Sequence, residues 1–300
     1  MSKTIKRPKP QCQCYNKDGS PCKQEPVSGS IFCFDHQDCP TPPLTGYEPV
    51  YNPNKWNKNP AIRESHNCYS YAFGYMDQQL AERCRAKQNK ECRSMFHQPG
   101  SVNGERNALD AKERRNCSHL DRLILADNPK VSRSSFYGKC PKGTSKIFMV
   151  SDPGEDFHFY EQNPPDVVEI KSGMNKNEKG RRLVHTLPLW SDKGGSNPVK
   201  RVDAIDQPMF NPELASRDFR HKGSKLNYEQ PCGFYCVPRD GSVRLASSDR
   251  GPQLGGVWMN KMVRKTRRAS KKHRRTLKNH RYIPHHSNHK RPNHKPLNSK

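Results

Sequence analysis

Two groups of residues in this 300-residue chain have types and spacings that could do chemistry. The first is Cys68 with His158. Cys68 opens residues 68–82, where Tyr69, Phe73, Met76 and Leu80 recur at steps of four, three and four. That is the spacing of one apolar helix face. Asn67 is a suitable N-cap, and Ser65 is the alternative. The first N–H groups of a helix lack intrahelical partners and the dipole is positive there, which favours a thiolate. His158 lies in residues 156–162, whose alternation predicts a strand. Phe157 and Phe159 should share one face, with Asp156, His158 and Tyr160 on the other. A helix start packed on such a sheet would bring thiol and imidazole together for nucleophilic acyl transfer. The same residues also fit a small buried thiol and a satisfied strand histidine.

The second group is Cys12, Cys22, Cys33 and His36, spaced C-x9-C-x10-C-x2-H. Three thiolates and an imidazole suit tetrahedral zinc, and Cys33 with His36 fits a single turn. Gly19 lets the chain fold back between the first two ligands. A segment this poor in apolar residues would draw its folding energy from the metal, here a structural zinc. Cys14 and Cys39 stand close by as substitute ligands. Without a metal, the segment would be a disordered leader with free cysteines.

The elements that must position these groups follow from local pattern. Residues 117–126 predict a second helix, with Leu120, Leu123 and Ile124 inward and Asn128-Pro129 as its stop. Residues 146–150 and 156–162 form a hairpin around the turn Asp152-Pro153-Gly154. Residues 167–171, 183–190 and 233–238 are further strands. A leading helix with antiparallel strands after it is an α+β pattern. The chain divides into a basic lead (1–10), the Cys/His segment (11–40), a Pro-rich extended linker (41–60), the α+β core (61–240) and a basic, disordered tail (241–300).

Only 31% of residues are hydrophobic and no apolar run is long enough to span a membrane. MSKTIKRPKP lacks the apolar stretch of a secretory signal. A reducing compartment is therefore expected. Twelve cysteines there read as ligands, thiols or catalytic groups before disulfides. Cys84, Cys92, Cys117 and Cys140 are read as core or surface thiols, and Cys232 and Cys236 as packed residues on one strand face. The net charge is +25, and residues 261–300 hold 15 of the 54 Lys+Arg with no Asp or Glu. Residues 257–300 should attract nucleic acid or another polyanion, steeply weakened by salt. They could equally solubilise the chain or act as a nuclear-targeting signal.

The string His66-Asn67-Cys68-Tyr69-Ser70-Tyr71-Ala72-Phe73 resembles the NCYAYA opening of a family found in large DNA viruses and some bacteria. Gln98-Pro99-Gly100, Asp127-Asn128-Pro129, residues 156–162, Trp190-Ser191-Asp192-Lys193, Val202-Asp203 and residues 232–238 follow in the family's order. The likeness spans roughly residues 45–240. Its Cys-helix, His-strand order is similar to papain-like thiol hydrolases, including peptidoglycan amidases and peptidases. The resemblance implies a papain-like fold with Cys68 as nucleophile and His158 as base. Asp203 and Asp192, both on later strands, are the acids that could orient the imidazole. Position 192 departs from the family, where a His is usual after Trp-Ser. Asn67 or Gln162 could stabilise an oxyanion. The implied activity is hydrolysis of a peptide, isopeptide or amide bond in a protein or peptide-like substrate, inside an infected cell or associated with the virion. Residues 12–36 also resemble a short zinc-knuckle motif. The alternative is a non-catalytic virion or nucleic-acid-binding protein that uses the knuckle and tail.

Overall fold

The computed structural model describes residues 5–87, 92–105, 108–171 and 182–247. Five short helices precede or flank one sheet. They are α1 (Pro53–Asn57), α2 (Pro60–Ser65), α3 (Cys68–Ala72), α4 (Gln78–Ala86) and α5 (Cys117–Asp127). The strands are β1 (Ser132–Ser134), β2 (Thr144–Asp152), β3 (Asp156–Lys171), β4 (Arg182–Lys193), β5 (Val199–Lys200) and β6 (Gln230–Pro238). They form a six-stranded antiparallel sheet in the order β1-β6-β2-β3-β4-β5. The protein is α+β, as the pattern predicted.

The expected hairpin is present, with Ile147 opposite Glu161 and Val150 opposite His158. β3 runs on past residue 162, so the predicted strand at 167–171 is its continuation. Its register against β4 shifts between Gln162 and Pro165. Pro164 and Pro165 supply no N–H to the ladder there. β2 is buried through its whole middle because both sheet faces are covered. On one face Phe148, Tyr160, Trp190 and Phe234 pack with Ile31, Phe32 and Phe210. On the other, Ile147, Met149, Phe157 and Phe159 pack with Tyr69 and Phe73, and with Leu120, Leu123 and Ile124 of α5.

Four expectations are corrected. The helix over 68–82 is two helices. α3 ends at Ala72, Gly74 takes a left-handed conformation (φ 66°), and the Asp77 side chain caps α4 by accepting from Leu80 N at 2.9 Å. A Cβ on Gly74 would meet the Arg239 guanidinium at 2.7 Å, so a side chain there would have to displace it from its bonds. Residues 41–60 are not simply an extended linker. α1 forms within them, Trp56 is buried, and Thr45 Oγ1 donates to Thr144 O at 2.6 Å. The Cys/His segment is not a separate module, since its apolar residues lie in the core cluster just described. The ordered chain also runs beyond residue 240. Val243 and Leu245 are buried, and Arg244 N donates to Asn128 Oδ1 at 2.8 Å. The tail expected over 257–300 lies outside the described residues.

Eight of the twelve cysteines, expected as thiols, are oxidised in pairs: Cys14–Cys39, Cys84–Cys92, Cys117–Cys232 and Cys140–Cys236. Cys14 and Cys39 are therefore not substitute metal ligands. The last two pairs tie the α5–β2 region to β6 at neighbouring points. Losing one leaves the other as a tether, with an effective closed loop of roughly 27 residues instead of about 100, so the first removal should cost about 3.5 kcal/mol. Removing the second opens a far longer loop and should cost about 1 kcal/mol more than the first. Urea denaturation of single and double Cys→Ser pairs would measure this, and equal, additive losses would contradict the shared-tether account.

Candidate functional site

α3 begins at Cys68, and its N-cap is Asn67, whose Oδ1 accepts from Ser70 N at 3.1 Å. The Asn67 Nδ2 donates to His97 O at 3.0 Å. Both ends of that amide are thus committed to fixing the helix start. Ser70 Oγ also lies 2.8 Å from His97 Nδ1. His66 holds the next turn, with its Nε2 accepting from Asp77 N at 2.9 Å. Burial pushes the His66 imidazole down to about 4, consistent with a neutral ring accepting that bond.

Two cations tie the helical segment to the sheet, Lys193 through α2 and the largely buried Arg239 through α3. Lys193, at the end of β4, donates from Nζ to Arg63 O (2.6 Å), Asn197 O (3.1 Å) and Gly195 O. These three carbonyls use all its protons, although burial lowers the ammonium to about 7. Arg239, just past β6, donates from Nη2 to Ala72 O at 3.0 Å and from Nε to Ser145 Oγ at 2.6 Å. It forms a buried ion pair with Glu161 of β3 at 3.1 Å. Burial raises the Glu161 carboxyl to about 7 against the opposing charge of Arg239. The strand carrying His158 is thereby linked to the C-terminal end of the helix carrying Cys68.

His158 Nε2 lies 2.8 Å from Asp192 Oδ2. Asp192 pairs with Tyr160 across β3 and β4, and His158 lies two residues beyond that last pair. Tyr228 stacks on the imidazole (centroids 5.3 Å, planes 27° apart) and Tyr160 meets it edge-on at 4.9 Å. The Tyr228 hydroxyl is held by Asp156 Oδ2 at 2.8 Å. The imidazole Nδ1 makes no regular hydrogen bond within the protein. It is the nitrogen left for Cys68, which is among the groups that raise the imidazole. Burial alone would lower the imidazole. The Cys68 charge and the Asp192 bond overcome it and hold His158 up at about 10. Cys68 is 0% exposed, and His158 and Asp192 are each 2% exposed. The thiol is sealed in this conformation, and neither of the two best-formed cavities touches it.

Of the two acids considered, Asp192 is the one beside His158. Asp203 Oδ1 accepts from Ile205 N and Gln207 N, and Oδ2 from Ser216 N, all at 2.9–3.0 Å. Asp203 therefore organises the loop after β5. Gln162 is four residues along β3 from His158, about 13 Å away, so its amide does not reach the thiol. Its Oε1 and Nε2 are buried without partners. The expected dipole at Cys68 is also reduced, because a five-residue helix carries little of it. Tyr228 and the Arg239–Glu161 pair gave no periodic signal in the sequence. Lys193 adjoins Asp192 and was visible only as part of that motif.

Cys12, Cys22, Cys33 and His36 do come together, with all four ligand atoms within 4.8 Å of one another. Cys22 Sγ to Cys33 Sγ is 3.7 Å, and His36 Nδ1 is 3.2 Å from Cys33 Sγ and 3.6 Å from Cys12 Sγ. Tetrahedral zinc at ordinary bond lengths requires S···S near 3.8 Å and S···N near 3.5 Å, so the group could hold such a metal ion. Cys33 N also donates to Cys12 Sγ at 3.3 Å, the bond a ligating thiolate attracts. Between two of the ligands, Gln13 Oε1 accepts from Phe210 N (2.7 Å) and Asn211 N (3.0 Å), and its Nε2 donates to Pro208 O (2.8 Å). Met209 O in turn accepts from Trp190 N at 2.7 Å, two residues before Asp192. The chain matches no family model, no curated protein and no solved structure, so the site's own geometry carries the functional argument.

Two outcomes are expected. Cobalt(II) added to the reduced Cys/His segment of the full chain should bind one ion with thiolate charge-transfer absorption. Cys33→Ser should abolish that band, and chelation should lower the Tm of the whole sheet through Gln13. An unchanged spectrum and Tm would exclude the site. Separately, Glu161→Gln should destabilise the fold by about 3–5 kcal/mol by leaving Arg239 charged and unpaired. A further Arg239→Met should restore most of that loss in chemical denaturation.

Proposed function

We propose that this protein is a cysteine-dependent hydrolase of the papain-like kind, acting on a peptide, isopeptide or amide bond in a protein or peptide-like substrate. The observation that carries the reading is the imidazole of His158, held by Asp192 at Nε2 with Cys68 left to Nδ1. An ordinary strand histidine would not need a buried acid on one nitrogen and a buried free thiol near enough to act on its charge. In the proposed reaction the Cys68 thiolate attacks the carbonyl carbon and forms a C–S bond. The oxyanion lies toward the N–H groups of Cys68 and Tyr69 at the start of α3, since Ser70 N is held by Asn67. Collapse breaks the C–N bond, and the His158 imidazolium gives its proton to the leaving amine. Water then loses a proton to His158 and attacks the thioester. The C–S bond breaks, the acid leaves, and the thiolate–imidazolium pair is restored.

Substrate entry requires Tyr228 and its segment to move, since they cover the imidazole. Zinc is the ion proposed for Cys12, Cys22, Cys33 and His36, in a structural role. Four disulfides favour an oxidising setting such as a virion over a reducing cytosol. The knuckle is a poor grip for nucleic acid, because Asp35, Asp38 and Glu213 line its outer side with Lys17 as the nearby lysine. Polyanion binding is therefore assigned to residues 257–300 alone.

Iodoacetamide at pH 7 should label Cys68 faster than a buried thiol without a base, and His158→Ala should slow that labelling 10–100-fold. Acylation needs the imidazolium, so turnover of an amide substrate should fall as pH rises through about 10. Asp192→Asn removes a contribution that raises His158 and should move this alkaline limb to lower pH. The same raised value adds fold stability that is full below about pH 6.5 and gone above about 10. A labelling rate indifferent to both substitutions would refute the dyad.

A further inference from the structure

An open cavity of about 1250 Å³ lies between the Cys/His segment and the β1–β6 end of the sheet. It forms where two strands part. β1 pairs with β6 only from Ser132 opposite Cys236 to Ser134 opposite Phe234. Beyond that pair, residues 135–137 turn away from residues 231–233, and both stretches line the cavity. β1 is also the edge of the sheet. The outer rim is aromatic. Phe34 is 82% exposed and Tyr137 is 43% exposed, two of the few large apolar side chains left in water. Tyr15 packs edge-on against Phe136 and Tyr137, with ring centroids 6.0 and 6.1 Å apart, so that part of the rim is rigid.

The charge of this cavity opposes that of the chain. Asp35, Asp38 and Glu213 line it against Lys17, in a protein of net charge +25. None of the three carboxylates forms an ion pair among the described residues, although basic side chains outnumber acidic ones 54 to 29. Glu213 accepts from the Tyr15 hydroxyl, and Asp35 from Gln24 Nε2 at 2.9 Å. These bonds orient the two carboxylates, and Glu213 also lies in the field of the Arg217 guanidinium, so Asp35 and Asp38 carry most of the open negative charge. Exposed aromatic faces beside unneutralised carboxylates are the chemistry that recognises guanidinium and ammonium groups. The volume exceeds what a single side chain fills, and the parted strands offer a slot for an extended backbone.

We infer that this groove binds an extended cationic peptide, with Arg or Lys side chains against Phe34 and Tyr137 and their charges on Asp35, Asp38 and Glu213. The site is separate from the Cys68 centre and does not depend on hydrolysis. A Cys68→Ala full chain therefore tests binding alone, whatever the fate of the hydrolase reading. General electrostatics cannot mimic the result, because a chain of charge +25 repels a cationic peptide overall. Isothermal titration at about 150 mM salt with an unlabelled ten-residue Arg/Ser peptide should give saturable 1:1 binding. Asp35→Asn with Asp38→Asn, and Phe34→Ala separately, should each weaken it about tenfold. These side chains are on the surface, so circular dichroism should be unchanged. The inference is overturned by any of three results. They are an absence of saturable binding, equal binding of a Gln/Ser peptide, or equal affinity in all variants. Displacement of the peptide by an equal concentration of spermidine would overturn the peptide assignment as well.

Discussion

The contact between His158 and Asp192 is made where β3 and β4 stop pairing, and most of the surrounding architecture can be understood as holding that point. Beyond Tyr160 and Asp192 the two strands share no ladder bonds, so side chains must do what backbone does elsewhere. Asp192 reaches the imidazole, Lys193 closes the end of β4 onto α2, and Tyr228 stacks across the ring. A continued ladder would have covered the edge of β3 beside His158. The early end of β4 leaves that edge to α3. A strand terminus is thus the condition for a thiol and an imidazole from distant parts of the chain to meet.

Burial makes this arrangement electrostatically demanding. Lys193 and Glu161 are buried, and Arg239 largely so, within two strands of the imidazole. Each would be costly alone, and each is answered by carbonyls or an opposite charge. The answers are geometrically specific, because a guanidinium or ammonium deprived of one acceptor has no water to replace it. The polar interior therefore restricts α3 to one placement on the sheet more sharply than Tyr69 and Phe73 do through apolar contact.

Much of this was legible from the residues. The β2–β3 hairpin followed from alternation and the Asp-Pro-Gly turn. α5 followed from Leu120, Leu123, Ile124 and the Asn128-Pro129 stop. The four Cys/His residues were found by donor type and spacing, and the fold gathers all four donor atoms. Helix 68–82 was misjudged because periodicity registers apolar faces and misses Gly74, where a guanidinium arriving from residue 239 stands in the way of a side chain. Choosing Asp192 over Asp203 required strand register, which two acids on later strands do not reveal. The disulfides were hidden for a similar reason. Cys117 and Cys232 are 115 residues apart, and only the fold brings them together. Tyr228 lies in an irregular loop, where no period exists to read.

Cys22 and Cys33 place their sulfurs 3.7 Å apart in a chain that otherwise forms four disulfides. Thiols that close are partners for oxidation as readily as for coordination. If the group takes the metal proposed for it, maturation becomes a kinetic competition, in which an ion arriving early would withdraw Cys12, Cys22 and Cys33 from the pool of reactive sulfur. Oxidation that came first would join Cys22 to Cys33 and leave Cys12 as an odd thiol to scramble with Cys14 or Cys39 next door. The order of the two events, rather than the final stability of either bond type, would decide how much of the chain reaches its native cross-links.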